Sequence, residues 1–277
     1  MQSGQTMSDD ANDTPNAVVA ALQAELYALR ADMQHFTYAV SHDLRAPLRH
    51  IASYAQLVQE DAGPQLSAEV LEFLTTITDS ARHMGALLDG LGALSRVGVM
   101  PLDVGPASLQ ELVQSQCQAL AAQYPQRSVD WRIAGDLPLV QADARLLRQA
   151  LEQVLGNALK FSAPRDIAVI EIAAEPTDDG GYVNLYLRDN GVGYNPALQA
   201  QLFTVFGRLH SGVQFDGIGM GLVLAKKMLE RFGATVSIQG ALDGGCCVQL
   251  RLNRVPMHID PNGHLPIDAP NPVISGP

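Results

Sequence analysis

Basic residues are scarce in this chain. Lys and Arg number 18 against 29 Asp and Glu, a net charge of −11 over 277 residues. A general nucleic-acid binder needs a basic footprint to neutralise phosphates, so that class is excluded. Cysteine is scarcer still: Cys117, Cys246 and Cys247 stand without C-x-x-C or Cys/His ligand spacing. Adjacent cysteines rarely bridge, so no structural disulfide or zinc is expected and a reducing compartment is implied. No apolar run reaches the roughly 18 residues of a transmembrane helix. Residues 1–16 are polar and lack the basic-then-apolar signal pattern, which points to a cytoplasmic protein. Those residues are expected to be disordered. What the chain does have is apolar content, 47%, enough for the core of one large domain or two modest ones.

From residue 17 the pattern is helical. Val19, Leu22, Leu26, Leu29, Met33, Phe36 and Val40 are spaced 3, 4, 3, 4, 3, 4, a coiled-coil seam. The stripe continues as Leu44, Leu48, Ile51, Ala55 and Val58. Two consecutive steps of four, from Val40 to Leu44 to Leu48, mark a phase slip like a stutter. Pro47 lies within the slip, where its missing N–H predicts a kink. Gly63-Pro64 ends the segment. A second stripe of Val70, Leu74, Ile77, Ala81, Met84, Leu88 and Leu91 follows at steps of 4, 3, 4, 3, 4, 3. Two such helices form a hairpin that leaves its stripe partly exposed. Two hairpins close it as a four-helix bundle, so 17–98 is predicted to form a homodimer.

Gly98, Pro101, Gly105 and Pro106 mark a linker over 99–106. Beyond it, 107–254 mixes helices and strands. Helices are predicted over 108–123 and 143–161, with Ser108 and Asp143 as N-caps, and over 219–232. Strands are predicted over 129–133, 167–174, 182–188, 235–239 and 246–252. Residues 190–218 read as a long loop with a short helical piece, and long loops in compact domains tend to be functional lids. The tail, 255–277, is expected to be disordered. The fold class is α followed by α+β: a helical hairpin, then an α/β sandwich.

Three clusters carry candidate chemistry. His42 lies two positions from Val40 and from Leu44, roughly 200° from each at about 100° per residue, so it faces away from the seam. Taken alone, a histidine in a helix is ordinarily a surface or core residue. An exposed neutral imidazole is nevertheless a competent nucleophile, and Asp43 beside it can take or hold a ring proton. His35 lacks an acidic neighbour and reads as solvated surface. Next, Asp189-Asn190-Gly191-Val192-Gly193 follows a strand, and Gly217-Ile218-Gly219-Met220-Gly221-Leu222 opens a helix. Glycines allow close backbone approach, and N–H groups at a helix start favour phosphate. Either run alone also occurs in plain turns. There is no βαβ dinucleotide fingerprint and no P-loop. Finally, Gln153, Asn157 and Lys160 share one helix face at i, i+4, i+7. Amide oxygens suit Mg²⁺ and a lysine suits phosphate. The plain alternative is an amphipathic helix with its polar side outward.

The order of these motifs is more specific than its parts. Ser41-His42-Asp43-Leu44-Arg45-Ala46-Pro47-Leu48 precedes a heptad hairpin. Asn157-Ala158-Leu159-Lys160-Phe161, the Asp189 run and the Gly217 run then follow. The chain from about 34 to 252 resembles the sensor histidine kinases of two-component signalling. Leu94-Ser95-Arg96-Val97 and Phe206-Gly207-Arg208-Leu209-His210 look like the phytochrome-like subgroup in particular.

That resemblance implies a hairpin phosphotransfer domain and an ATP-binding sandwich of the GHKL (Bergerat) type. It makes His42 the phosphoacceptor and Asp43 its base or orienter. It gives Asn157 to Mg²⁺, with Gln153 as a second amide, and Lys160 to the ATP phosphates. Asp189 would accept the adenine amino group in a pocket shaped by Gly191 and Gly193. Gly217, Gly219, Gly221 and Leu222 would frame the lid hinge and phosphates. Phe203 and Phe206 match aromatic positions before the lid, and Arg208 is placed to reach the γ-phosphate. The phosphoryl would pass to an aspartate in a response-regulator receiver domain. Two departures stand out: Gln153 replaces the family's first asparagine, and Ala46 replaces the Thr or Asn of kinases that also dephosphorylate their regulator. Weak or absent phosphatase activity of that type is therefore expected. About 40 residues precede His42, fewer than a typical sensing domain. Either the kinase is truncated or stand-alone, or input arrives from a separate sensor protein. Two competing readings remain: a phosphotransfer scaffold without ATP binding, which would have lost Asp189 and the glycines, and another ATPase of the same nucleotide fold, which would carry Glu where Gln153 stands.

Overall fold

The computed structural model describes residues 13–210 and 215–255, so the expectations for 1–12 and 256–277 lie outside the described residues. Two compact units are present. One holds the described residues up to Pro101 and the segment Ala197–Lys227; the other holds Leu102–Pro196 and the described residues from Met228. The segment Ala197–Lys227, expected to belong with 107–254, thus groups with the first unit.

Helix α1 spans Asp13–Ala62 and begins inside the stretch expected to be disordered. It runs on through Pro47, where the Asp43 carbonyl loses its N–H partner. A 3-10 turn, Gly63–Gln65, leads to α2, Ala68–Val99, whose N-cap Ser67 accepts the Val70 N–H. The two helices form the expected hairpin. The guanidinium of Arg45 donates to Asp89 at 2.8 Å, and the Ser95 hydroxyl donates to the Gln34 carbonyl at 3.2 Å.

Each predicted stripe splits in two. Along α1, Ala55 is buried and Leu48 half-buried, in line with buried Ser41 outside the predicted stripe, whereas Leu44, Ile51 and Val58 remain 45–46% exposed. Along α2, Ala81 is buried and Leu74 and Leu88 are half-buried, whereas Val70, Ile77 and Met84 are exposed. Within each set the residues recur at heptad spacing, so one half of every stripe closes the hairpin and the other half stays free. Upstream, Leu22, Leu26, Leu29, Met33 and Phe36 are all exposed.

In the second unit, one mixed sheet is backed by helices. Its strands are β1 (Val104–Ser108), β2 (Val129–Ala134), β3 (Leu139–Asp143), β4 (Ala168–Pro176), β5 (Tyr182–Asp189), β6 (Thr235–Gly240) and β7 (Cys246–Arg254). They lie in the order β1-β3-β7-β5-β4-β2, with β6 also on β7. Helices α3 (Leu109–Gln123) and α4 (Ala144–Phe161) belong to this unit, whereas α5 (Gly221–Arg231) is divided at Lys227 between the first unit and the second. Strand alternation decides the faces: Ile170, Ile172, Leu185, Leu187, Leu250 and Leu252 are buried, while Glu171 and Arg188 point outward. Helix α4 buries Leu147, Leu151, Val154, Leu155 and Ala158, each larger side chain contributing about 1.5–3 kcal/mol. Both predicted N-caps are present: Ser108 accepts the Glu111 N–H, and Asp143 accepts from Arg145 and Leu146.

Three expectations need correction. The linker read over 99–106 is shorter, 100–103: α2 reaches Val99 and β1 starts at Val104. Gly105 and Pro106 sit in β1, an edge strand paired only to β3, where a proline costs no ladder bond. Strand β3 itself was not predicted; it is too short to show a period. Helix α5 starts two residues later than expected, because Gly219 has a left-handed φ of +74°.

Candidate functional site

His42 sits on the exposed side of α1, with 67% of its side chain accessible. Its Nδ1 lies 3.2 Å from Asp43 Oδ1, and its ring stacks near Tyr38 at a centroid distance of 6.4 Å. With the proton on Nδ1, the ring donates to Asp43 and carries its lone pair on Nε2. Ser41, one residue before, is buried in the hairpin, which fixes the rotation of α1 and so keeps His42 outward. His35 is also exposed.

In the second unit, Asp189 ends β5 and is only 7% exposed. Its Oδ1 accepts the Gly191 N–H at 2.8 Å and the Cys246 N–H at 3.2 Å. Oδ2 has no hydrogen-bond partner among the described residues. Burial pushes the carboxyl above its ordinary range, against the lowering effect of those two N–H donors. The result is a recessed carboxylate with one oxygen fixed and one available to an incoming N–H.

The loop after Asp189 is tightly bound. Val192 N–H donates to the Phe161 carbonyl at the end of α4, and Asp243 N–H donates to the Val192 carbonyl at 2.8 Å. Gly193 has φ +60°, and a Cβ there would lie 1.7 Å from the Ala241 carbonyl oxygen. A Cβ on Gly191 would meet the Phe161 carbonyl at 2.8 Å. Asn190 latches the loop to β4, accepting the Val169 N–H and donating to the Ile167 carbonyl.

Gln153, Asn157 and Lys160 are half-exposed on one face of α4. The Gln153 and Asn157 amides make no side-chain hydrogen bond among the described residues, and Lys160 Nζ lies 4.5 Å from the Phe161 ring centroid.

The remaining predicted residues lie in the first unit. Lys226 Nζ is 5.2 Å from the Phe203 ring centroid. Phe206 is exposed with φ 62°, a left-handed backbone costing about 1–2 kcal/mol in a residue with a side chain. Arg208 donates to the Phe215 carbonyl at 2.7 Å, so its guanidinium is engaged within its own segment. Gly217 and Gly219 have positive φ, and Gly221 opens α5 ahead of half-buried Leu222. The structure therefore brings Asp189, Gly191 and Gly193 together, while Phe203 to Leu222 belong to the other unit.

Residues 32–98 match the family described as His Kinase A (phospho-acceptor) domain. Residues 142–256 match the histidine kinase-, DNA gyrase B- and HSP90-like ATPase family. The chain belongs to the histidine kinases. Within that family this histidine kinase is of the phytochrome-like type. It is 29% identical over 228 residues to cyanobacterial phytochrome A of Nostoc sp. (strain PCC 7120 / SAG 25.82 / UTEX 2576), covering 82% of this chain and 29% of the relative. It is 30% identical over 240 residues to cyanobacterial phytochrome B of the same strain, covering 86% and 31%. The chain thus spans about a third of the length of these curated relatives. The crystal structure of full-length ShkA in complex with AMPPNP shares the fold, with a TM-score of 0.56 at 24% identity over 80% of this chain and 46% of that one. The ATPase domain is an ATP-binding one, and no helix among the described residues is long and apolar enough to cross a membrane.

Sequence reasoning passed over Arg165, Asn190 as a latch, and the backbone N–H of Cys246. Only the Gly244-Gly245 turn before Cys246 offered a local signal; the partners of Arg165 are up to 78 positions away.

Proposed function

We propose that this chain is the phosphotransfer and catalytic portion of an ATP-dependent protein histidine kinase, in which His42 is the phosphoacceptor. The observation that carries the reading is His42 itself: an exposed side chain whose Nδ1 lies against Asp43, which leaves Nε2 as the ring nitrogen not engaged by that carboxylate. Nε2 would attack the γ-phosphorus in line, an N–P bond forming as the bond to the ADP oxygen breaks. The ring would then release its Nδ1 proton toward Asp43. Positioning supplies most of the rate in such a transfer, since the protein does little covalent chemistry.

ATP would be recognised by its adenine amino group donating to Asp189 Oδ2, in the pocket bounded by Gly191 and Gly193. Lys160 would meet phosphate charge. The amides of Gln153 and Asn157, without a side-chain hydrogen bond among the described residues, fit a hard cation, and Mg²⁺ held there would screen the triphosphate. Phe203, Phe206, Arg208 and the glycines from Gly217 to Gly221 would form the lid.

The exposed half of the hairpin stripe, Leu44, Ile51, Val58, Val70, Ile77 and Met84, supports a homodimer whose paired hairpins make a four-helix bundle. The phosphoryl would pass from His42 to an aspartate of a response-regulator receiver domain.

The test incubates the protein with γ-labelled ATP and Mg²⁺, using wild type, His42→Gln and Asp189→Asn. Acid-labile, alkali-stable label in the wild type, absent from both variants, is expected. Neither binding nor label would mean a scaffold, nucleotide binding without label a degenerate kinase, and steady hydrolysis independent of His42 an ATPase.

A further inference from the structure

Arg165 lies in the turn between α4 and β4, outside every motif that the sequence offered, yet it is half-buried with Nε and Nη2 both donating hydrogen bonds. Its Nε donates to the Asn190 carbonyl at 2.9 Å, and its Nη2 donates to the Gly191 carbonyl at 3.1 Å and the Asp243 carbonyl at 3.2 Å. The Asp243 carboxylate lies a further contact away, at 3.5 Å from Nη2. These acceptors belong to two separate loops, one leaving β5 and one joining β6 to β7.

Those same loops deliver the donors that fix Asp189. The Gly191 N–H comes from the first loop and the Cys246 N–H from the end of the second, and both converge on Oδ1. Asp243 itself has φ +56°, a backbone state that needs surrounding contacts to hold it. A planar guanidinium can serve carbonyls on both loops at once through Nε and Nη2, whereas a lysine ammonium is a single point donor.

We propose that Arg165 is a positioning residue for base recognition: by clamping the two loops it holds the donors of Oδ1, and thereby aims Oδ2 at the exocyclic amino group of a purine. The inference rests on the reading of Asp189 as the adenine acceptor and adds the element that sets its aim.

The experiment measures dissociation constants for ATP and inosine triphosphate, which carries an oxygen in place of the amino group. Calorimetry is run on the full chain as wild type, Arg165→Lys, Arg165→Ala and Asp189→Asn. Wild type should prefer ATP, and Asp189→Asn should abolish that preference. In Arg165→Ala the ratio of ATP affinity to inosine triphosphate affinity should fall about tenfold, the equivalent of one misaligned hydrogen bond, and Arg165→Lys should fall nearer to Ala than to wild type. Should the alanine variant not fold by circular dichroism, the lysine variant gives the reading. An equal loss of both affinities would make Arg165 structural only and overturn the proposal, as would an unchanged ratio. A ratio insensitive to Asp189→Asn would instead overturn the reading of Asp189.

Discussion

Replacing Asp189 by Asn separates nucleotide recognition from stability, and the structure predicts opposite signs for the two. The carboxylate has Oδ1 fixed by the N–H groups of Gly191 and Cys246. An asparagine can keep its oxygen there, which places its NH₂ where Oδ2 was. An adenine amino group would then meet a donor. The loss is a hydrogen bond to a charged acceptor, about 1.5–3 kcal/mol, plus an unpaired buried donor, about 1–3 kcal/mol. ATP affinity should fall by roughly two to four orders of magnitude. Stability should move the other way. Burial raises the Asp189 carboxyl above its ordinary value of 3.8, so folding favours its neutral form. That favourable contribution is present below the unfolded value and is lost as pH rises through the raised folded value. At pH 7 the wild type bears the cost of a buried charge, and Asp189→Asn does not. The variant should be the more stable apo-protein at pH 7, with the gap closing as pH falls toward 3.8. Calorimetric ATP titration and urea melts across pH check both halves. ATP affinity reduced less than tenfold, or an apo variant less stable than wild type at pH 7, would refute the reasoning.

Gly193→Ala should disrupt the loop that follows Asp189 by sterics: a left-handed alanine costs about 1–2 kcal/mol, and its Cβ would strike the Ala241 carbonyl. Loss of ATP binding with a lower melting temperature is the expected result. Asp143→Ala should destabilise the second unit, since the Asp103, Arg145 and Leu146 N–H groups all lose their acceptor. The lost cap alone is worth about 1–2 kcal/mol, measurable by urea melts. Burial pushes the Asp143 carboxyl up, but the N–H donors and Arg145 outweigh it and hold the value below 3.8. Its stabilisation is thus present above 3.8 and lost as pH falls through the lower folded value, a step that the alanine variant should lack. Ile51→Asp places a charge on the exposed half-stripe without touching the buried half. It should convert a dimer to a monomer in sedimentation analysis while helicity persists.

How much of this was legible in the sequence depended on distance along the chain. Ser108 and Asp143 cap helices through N–H groups two or three residues away, and both were visible. The His42 face was visible because helical phase is local. The division of the Leu44 to Val58 stripe was not: periodicity shows that residues share a side, but not which of two neighbours each will meet. Strand β1 was hidden because Gly105 and Pro106 are loop-like residues, and only its edge position beside β3 makes them tolerable. The Asp189 motif announced a carboxylate beside glycines. That one oxygen is fixed and the other open depends on Cys246, 57 positions on. Arg165 was invisible for the same reason, since its role exists only once two distant loops have been folded together.

The central claim is tested most directly by locating the phosphoryl group. The protein is incubated with ATP and Mg²⁺, kept at alkaline pH, and fragmented for mass spectrometry. The account predicts a single phosphohistidine at His42 that disappears on brief acid treatment. Phosphate on another residue, or ATP consumed with no phosphate retained on His42, would contradict it.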